Sequence, residues 1–384
     1  MPDFFEFQVR PRVLYRQGLV DELGHEIAQR GARRVFIVSD AGLQRSGLLD
    51  RVVRGIGGSA EVVGIFCDVP ANSSVAAVER AAAAARQAQA DIVVGLGGGS
   101  PLDTAKAMRI LLTEGGQLRD YEGYNVLERA LTPMIAIPTT GGTGSEVTPF
   151  AVIRDEEQQL KLTFSSPYLS PEVAILDPET TRELPPPITS ATGMDALTHA
   201  IESFLSRESN PISEPLALQA IDLIANNLRA ATFTPEDQFA RGQLLIGSCI
   251  AGMAFSSSML GVVHAMAHAV GGVFPVHHGT VNAILLPHGM RFNSAVVPNR
   301  LVRVSRALGV NAGGRPEEHV IEDGIDAVRA LAQDCGLPMR LRSLEIPEEA
   351  LPALAETALV DAAIFSNPRE ASAGDILALL QAAW

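Results

Sequence analysis

From Gly242 to Met290 the chain runs 49 residues without an Asp, Glu, Lys or Arg, and that stretch carries five of the eight histidines. A segment so poor in charge belongs in an interior, where every imidazole nitrogen needs a partner, and one metal ion can serve several imidazoles at once. His264 and His268 stand four residues apart in VVHAMAH, so on a helix they share a face, and His278 follows in HHG. An acidic counterpart lies upstream in GMDALTHAIES, where Asp195 and His199 repeat the same spacing. One carboxylate with three neutral imidazoles is a mixed oxygen and nitrogen set that suits divalent iron or zinc. With no thiolate in the set, a purely structural zinc knot is disfavoured. A catalytic cation with an open position would take an alcohol or carbonyl oxygen, easing loss of the alcohol proton or making the carbonyl more electrophilic. Judged singly, His268 is either a ligand or a nearby proton relay. His277 and His278 are adjacent and cannot easily both point inward. His288, in LLPHGM, packs or caps, and His25 and His319 lie in polar segments and get no role.

A nucleotide has two candidate seats. DIVVGLGGGSPLDTAKA reads as strand, glycine turn and helix start, with Gly97, Gly98 and Gly99 leaving main-chain N–H groups open to a phosphate. Ser100 reads as the N-cap, Pro101 as the first helical residue and Asp103 as the returning carboxylate of a capping box. The motif follows about the third strand of the unit, so a plain Rossmann fingerprint is not expected, and a tight turn without ligand is the bland alternative. The second seat, IPTTGGTGSE at 137 to 146, offers the hydroxyls of Thr139, Thr140, Thr143 and Ser145 to phosphate, ribose or a carboxamide, or to its own turn. Asp40 ends VFIVSD. A carboxylate there either accepts from a ribose 2′-hydroxyl, favouring NAD over NADP, or caps the next helix. Lys161 either meets phosphate or a substrate oxygen, or is solvated. A nicotinamide beside the metal would exchange hydride with the adjacent carbon, in a cleft between two domains.

The elements that must position these residues divide into two halves. The first 180 residues alternate β-branched runs with helical patterns, which predicts an α/β domain with a mostly parallel sheet. Strands are expected at 35–40, 61–66, 91–97 and 133–138, and helices near 42–55, 73–89 and 101–113. At LPPPITS the prolines 185 to 187 end this rhythm, and helical periodicity dominates afterwards. An NAD-binding α/β domain over 1–187 and an all-helical metal-binding domain over 188–384 follow, the latter covered by amphipathic helices around 213–230, 316–335 and 347–358. A chain of 384 residues is long enough for two cores. A net charge of −14 with no basic block disfavours a nucleic-acid surface. Leu244–Val273 could span a bilayer core of roughly 30 Å, but Ser256–Ser258, the mid-segment histidines, the glycines and the lack of flanking basic residues favour a buried core helix. Three cysteines in no CxxC arrangement and an N-terminus without a secretory pattern lead to a cytoplasmic expectation.

The motifs GGGSPLDTAK, PTTGGTGSE, AILDP, GMDALTHAIE, AGMAFSSSMLGVVHAMAHAVGG, HGTVNAILLPH and NPR at 367–369, taken together, resemble those of the group III iron-containing alcohol dehydrogenases, with a dehydroquinate-synthase-like fold. The resemblance runs from about residue 10 to residue 370. It implies a metal held by Asp195, His199, His264 and His278, with His268 beside it as a non-ligand that relays protons or touches the nicotinamide. It also implies NAD contacts from Asp40, Asn72, Gly97, Gly98, Gly99, Ser100, Asp103, Thr139, Thr140, Thr143 and Lys161. His277 stands where that family often has a small residue or proline, and Pro149 with Phe150 gives the substrate wall its own character. The expected activity is a metal-assisted, NAD-dependent alcohol dehydrogenase or aldehyde reductase for a small aliphatic substrate, working as a homo-oligomer, a dimer or larger. The alternative is an NAD- and metal-dependent lyase of the dehydroquinate synthase type. Such an enzyme surrounds an acidic, phosphorylated substrate with Lys and Arg, which the charge-free stretch does not supply. A third reading drops catalysis and leaves a metal- or nucleotide-binding regulator.

Overall fold

The computed structural model describes residues 4–8, 10–158 and 160–384. Its strands are β1 (Arg12–Tyr15), β2 (Arg34–Val38), β3 (Glu61–Phe66), β4 (Ile92–Gly97), β5 (Gly123–Tyr124), β6 (Met134–Pro138), β7 (Phe150–Asp155), β8 (Leu160–Ser165) and β9 (Val173–Leu176). The helices of the same half are α1 (Leu23–Gln29), α2 (Ala41–Ser46), α3 (Leu48–Ile56), α4 (Val75–Gln87) and α5 (Gly99–Glu114). All nine strands among the described residues fall in one compact unit, 10–140 with Ser145–Glu183. The other unit, Leu184–Trp384 with Gly141–Gly144, is helical among the described residues.

Six strands make a parallel sheet in the order β1-β9-β6-β4-β2-β3. Along β2, Val35 and Ile37 enter one hydrophobic cluster while Phe36 and Val38 enter another, so both faces are covered. A parallel strand buried on both sides reads as a continuous apolar run, which is why VFIV and DIVVGLG are legible in the sequence. The chain steps from β2 outward to β3, returns to β4 on the other side of β2, and continues through β6 to β9. The winding direction therefore reverses between β2 and β4, and the crevice beyond the carboxyl ends of strands at such a reversal is the usual ligand position of an open α/β sheet.

Local expectations needed correction at two helix starts. The helix expected near 42–55 is two helices, α2 and α3, broken at Gly47, whose φ of 82° no interior helical residue adopts. The capping box expected of Ser100 and Asp103 does not form. Helix α5 begins at Gly99 behind an extended Gly98, so Ser100 lies inside the first turn and its Oγ donates to Ala71 O at 2.6 Å. Asp103 instead accepts from Ser145 Oγ at 2.6 Å and from Val152 N at 3.0 Å. The hairpin β7–β8, with β5 beside β8, went unforeseen because charges interrupt its apolar pattern. One of them, Asp155, is buried and held by Arg119 at 2.6 Å, which keeps its carboxyl low, at about 2.

The helical unit comprises α6 (Pro186–Leu205), α7 (Ser213–Phe233), α8 (Gln238–Ser258), α9 (Val262–Val273), α10 (His278–Asn293), α11 (Pro298–Ala307), α12 (Glu317–Asp334), α13 (Leu351–Leu359) and α14 (Ala373–Ala383). The three prolines that end the α/β rhythm open α6, where a missing N–H and a fixed φ are tolerated in the first turn. The charge-free stretch became α8, α9 and most of α10, and most of its apolar residues lie in the core of the unit. The possible span Leu244–Val273 is two helices bent by 101° across Met259–Gly261, and no single described helix is long and apolar enough to cross a membrane.

Candidate metal centre

Helix α6 presents Asp195, His199 and Glu202 on one side, at spacings of four and three residues. Helix α9 presents His264 and His268 by the same rule, and α10 begins at His278. For α10 to bring His278 to Asp195 it must touch α6 closely. A Cβ at Gly279 would lie 2.1 Å from Ala191 O and 3.1 Å from Asp195 Cβ, so the glycine of HG is a packing requirement.

Potential ligand atoms of Asp195, His199 and His264 lie within 4.8 Å of one another, and all three residues are buried. His278 Nε2 stands 3.6 Å and His264 Nε2 3.7 Å from the same atom, Asp195 Oδ1. The rings of His199 and His264 stack at 4.6 Å, with Phe255 on the other side of His199 at 4.6 Å. Among the described residues, neither Asp195 nor Glu202 forms a salt bridge with Lys or Arg; their ion-pair partners are imidazoles alone. Buried carboxylates so placed require positive charge.

The Asn282 amide shows where that charge fits. Its Nδ2 lies 2.7 Å from Asp195 Oδ1, 3.2 Å from His264 Nε2 and 3.1 Å from His278 Nε2, while its Oδ1 is buried with no partner among the described residues. Three ligand-type atoms converge on one nitrogen that has two hydrogens to give, which is the pattern of a cation's donor set. The residues present therefore fit the mixed carboxylate–imidazole site that iron or zinc takes. In the metal-free protein, burial works against charge on His264, but Asp195 and Glu202 outweigh it and raise the imidazole to about 9. Burial pushes His199 down to about 4. Burial would raise Asp195, yet the surrounding imidazoles hold it well below the ordinary carboxylate range. A cation entering here displaces a proton from His264.

His268 lies apart from the compact trio. Its Nδ1 donates to Asp361 Oδ2 at 2.9 Å, its ring stacks on His278 at 5.4 Å, and its side chain is 35% exposed. His277 is exposed and serves as the N-cap residue of α10, so the two adjacent histidines do divide between outside and inside. His288 is half-buried in α10, and burial, followed by three arginines, lowers it to about 4. Sequence reading assigned nothing to Glu202, Asn282, Asp361 or Asn367. Two of these carried a signal, since Glu202 continues the Asp195–His199 face and Asn282 stands four residues after His278. Asn367 opens the NPR motif, which gave it no role, and Asp361 carried no signal, being brought to α9 by tertiary packing alone.

In the α/β unit, Asp40 follows β2, Gly97 ends β4 with Gly98–Ser100 after it, and Thr139–Thr140 follow β6, three neighbouring parallel strands, so these residues share the sheet's carboxyl edge. Asp40 Oδ1 caps α2 by accepting from Gly42 N and Leu43 N. Asn72 adjoins Ala71, whose carbonyl Ser100 holds. Lys161 sits on β8 opposite Arg154. Thr143 belongs with Gly141–Gly144 to the helical unit, where a Cβ at Gly142 would lie 2.5 Å from Thr192 Cβ. The first two glycines of GGTG thus serve close packing against α6 and α8.

A carboxylate–imidazole metal site in a helical unit, joined to a parallel α/β unit with a ligand-type edge, defines a class of metal-dependent, nucleotide-linked oxidoreductases. Comparison with known proteins makes the class definite. Residues 11–178 match the family described as iron-containing alcohol dehydrogenase, and residues 189–384 match its C-terminal part. The chain is 37% identical to 1,3-propanediol dehydrogenase of Klebsiella pneumoniae over 99% of each chain, and 36% identical to lactaldehyde reductase of Escherichia coli (strain K12) over 96% of this chain and 97% of that one. A solved 1,3-propanediol oxidoreductase superposes with a TM-score of 0.97 at 37% identity, covering 99% of this chain and 100% of the other. Sulfoacetaldehyde reductase from Bifidobacterium kashiwanohense, solved in complex with NAD+, superposes with a TM-score of 0.89 at 28% identity, covering 100% and 99%. The chain belongs to the iron-containing alcohol dehydrogenase family and is an oxidoreductase acting on CH–OH groups.

Proposed function

We propose that this enzyme interconverts a small aliphatic alcohol or diol and its aldehyde with NAD(H), using a divalent metal held by Asp195, His199, His264 and His278. The observation that carries the reading is the convergence of Asp195 Oδ1, His264 Nε2 and His278 Nε2 on one point, beside His199, in a buried site whose carboxylates have no Lys or Arg partner among the described residues. When bound, the metal supplies Lewis acidity to the substrate oxygen and NAD supplies or accepts the hydride. The chain's own residues do the rest. Asp195 and the three imidazoles would hold the cation, and the apolar walls of α8 and α9 keep competing charge away. His268, with Nδ1 engaged by Asp361, keeps Nε2 as the atom that exchanges a proton with the reacting alcohol.

Residues 1–187 form the nucleotide-binding domain in this reading and 188–384 the metal-binding one. NAD contacts come from Asp40, Asn72, Gly97, Gly98, Gly99, Ser100, Asp103, Thr139, Thr140, Thr143 and Lys161; the placement of three of these segments at one sheet edge supports the assignment. An Asp at residue 40 favours NAD over NADP. The relatives named for propanediol and lactaldehyde support a small aliphatic substrate. A homo-oligomer in the cytoplasm completes the reading, and three free cysteines are compatible with that compartment. Chelation of the purified enzyme is expected to abolish NADH production from short alcohols and diols, with recovery on adding ferrous iron or zinc. Full turnover after rigorous metal removal would end the proposal.

A further inference from the structure

Helix α9 carries His264, yet its own N-terminus has no capping side chain, since Gly261 stands at the N-cap. The first four N–H groups of a helix need partners from elsewhere. Here Val262 N donates to Asn367 Oδ1 at 3.1 Å, Val263 N to Glu202 Oε1 at 2.7 Å and His264 N to Glu202 Oε2 at 3.2 Å, while Ala265 N reaches Gly261 O at 3.1 Å. The same Oε2 lies 2.6 Å from His264 Nδ1. One buried carboxylate, 4% exposed, therefore grips both the backbone that starts the helix and the ring that the helix presents.

The consequence for the ring is chemical. A carboxylate accepts and cannot donate, so Nδ1 must carry the proton in this contact, and once a cation displaces the other ring proton the Nε2 lone pair faces the point marked by Asp195 and the Asn282 amide. Carboxylate partners of this kind fix the tautomer and raise the basicity of metal-binding histidines. Glu202 also balances charge, because Asp195 and Glu202 together offset a divalent cation in a place where an uncompensated charge is costly. We propose that Glu202 is the positioning residue of the metal centre: it locks His264 as the Nδ1–H tautomer, ties the ring to the start of α9 and neutralises the bound cation. The inference rests on the metal-site reading above.

The test is equilibrium binding of Zn2+ to the full chain, by competition with a chromophoric chelator, for wild type, Glu202→Gln and His264→Ala. Glutamine keeps the shape but either points an NH2 at Nδ1, moving the ring proton to Nε2, or points it at the Val263 N–H. The expected result is a loss of about 10- to 100-fold in Zn2+ affinity with an unchanged far-ultraviolet circular dichroism spectrum. Unchanged affinity with reduced thermal stability would reduce Glu202 to a helix cap and overturn the proposal while leaving the metal site standing. A wild type that binds no Zn2+ overturns both. Should Glu202→Gln fail to fold, nitrogen-15 spectra of histidines in the Zn2+-loaded wild type decide: His264 ligated through Nε2 with its proton on Nδ1 is expected, and ligation through Nδ1 overturns the proposal.

Discussion

The difference between His264 and His268 is set by what stands at the far side of each ring. Both lie on one face of α9 and both give Nδ1 to a carboxylate, but His264 is 1% exposed and aimed at Asp195, whereas His268 is partly open to solvent and beyond the compact trio. A ligand must reach the point that Asp195 marks, as His278 Nε2 does at 3.6 Å from Asp195 Oδ1; a proton relay needs a route to water. His268→Ala is therefore expected to retain stoichiometric metal while kcat falls by about 10²- to 10⁴-fold, the usual contribution of a positioned acid–base group. Metal analysis beside single-turnover kinetics checks it, and loss of the metal would make His268 a ligand.

Helix α10 has two jobs, and each can be probed separately. Its first turn must approach α6 closely enough to set His278 beside Asp195, and Gly279 permits this. Gly279→Ala is expected to push the helices apart, costing about 1–3 kcal/mol of stability as overpacking does and weakening metal binding. Chemical denaturation with and without metal measures both effects. Near its other end, His288 is kept neutral by burial and by Arg329, Arg291 and Arg340, with its pKa lowered to about 4. In the unfolded chain it titrates near 6.5, so its contribution to stability is full above that value and is lost as pH falls toward 4. His288→Gln, neutral throughout, is expected to flatten the decline of the thermal midpoint between pH 6.5 and 4. An unaltered slope would show that other groups control acid unfolding.

At the scale of the whole molecule, the chain forms two compact units, and the single tryptophan gives an optical handle on one of them. Trp384 donates from Nε1 to Ile346 O at 2.8 Å within the helical unit. Zn2+ at 100 times its dissociation constant is expected to stabilise that unit by about 2.7 kcal/mol, seen as a higher midpoint of the Trp384 fluorescence transition. A midpoint indifferent to Zn2+ would place the metal elsewhere. The sequence by itself determined the buried strands VFIV and DIVVGLG, the turn from α/β to helical grammar at the prolines, and the pairing of Asp195 with His199 and of His264 with His268. These follow from local periodicity, because neighbours on a helix face or a buried strand lie a fixed few residues apart. Only the tertiary structure decided that Ser100 and Asp103 bind other loops in place of capping α5, that GGTG packs against helices, and that Glu202, Asn282 and Asp361 orient the imidazoles. A hydrogen bond between His268 and Asp361 joins residues 93 apart in the chain, and no spacing rule reaches so far; close packing of the helices brings them together.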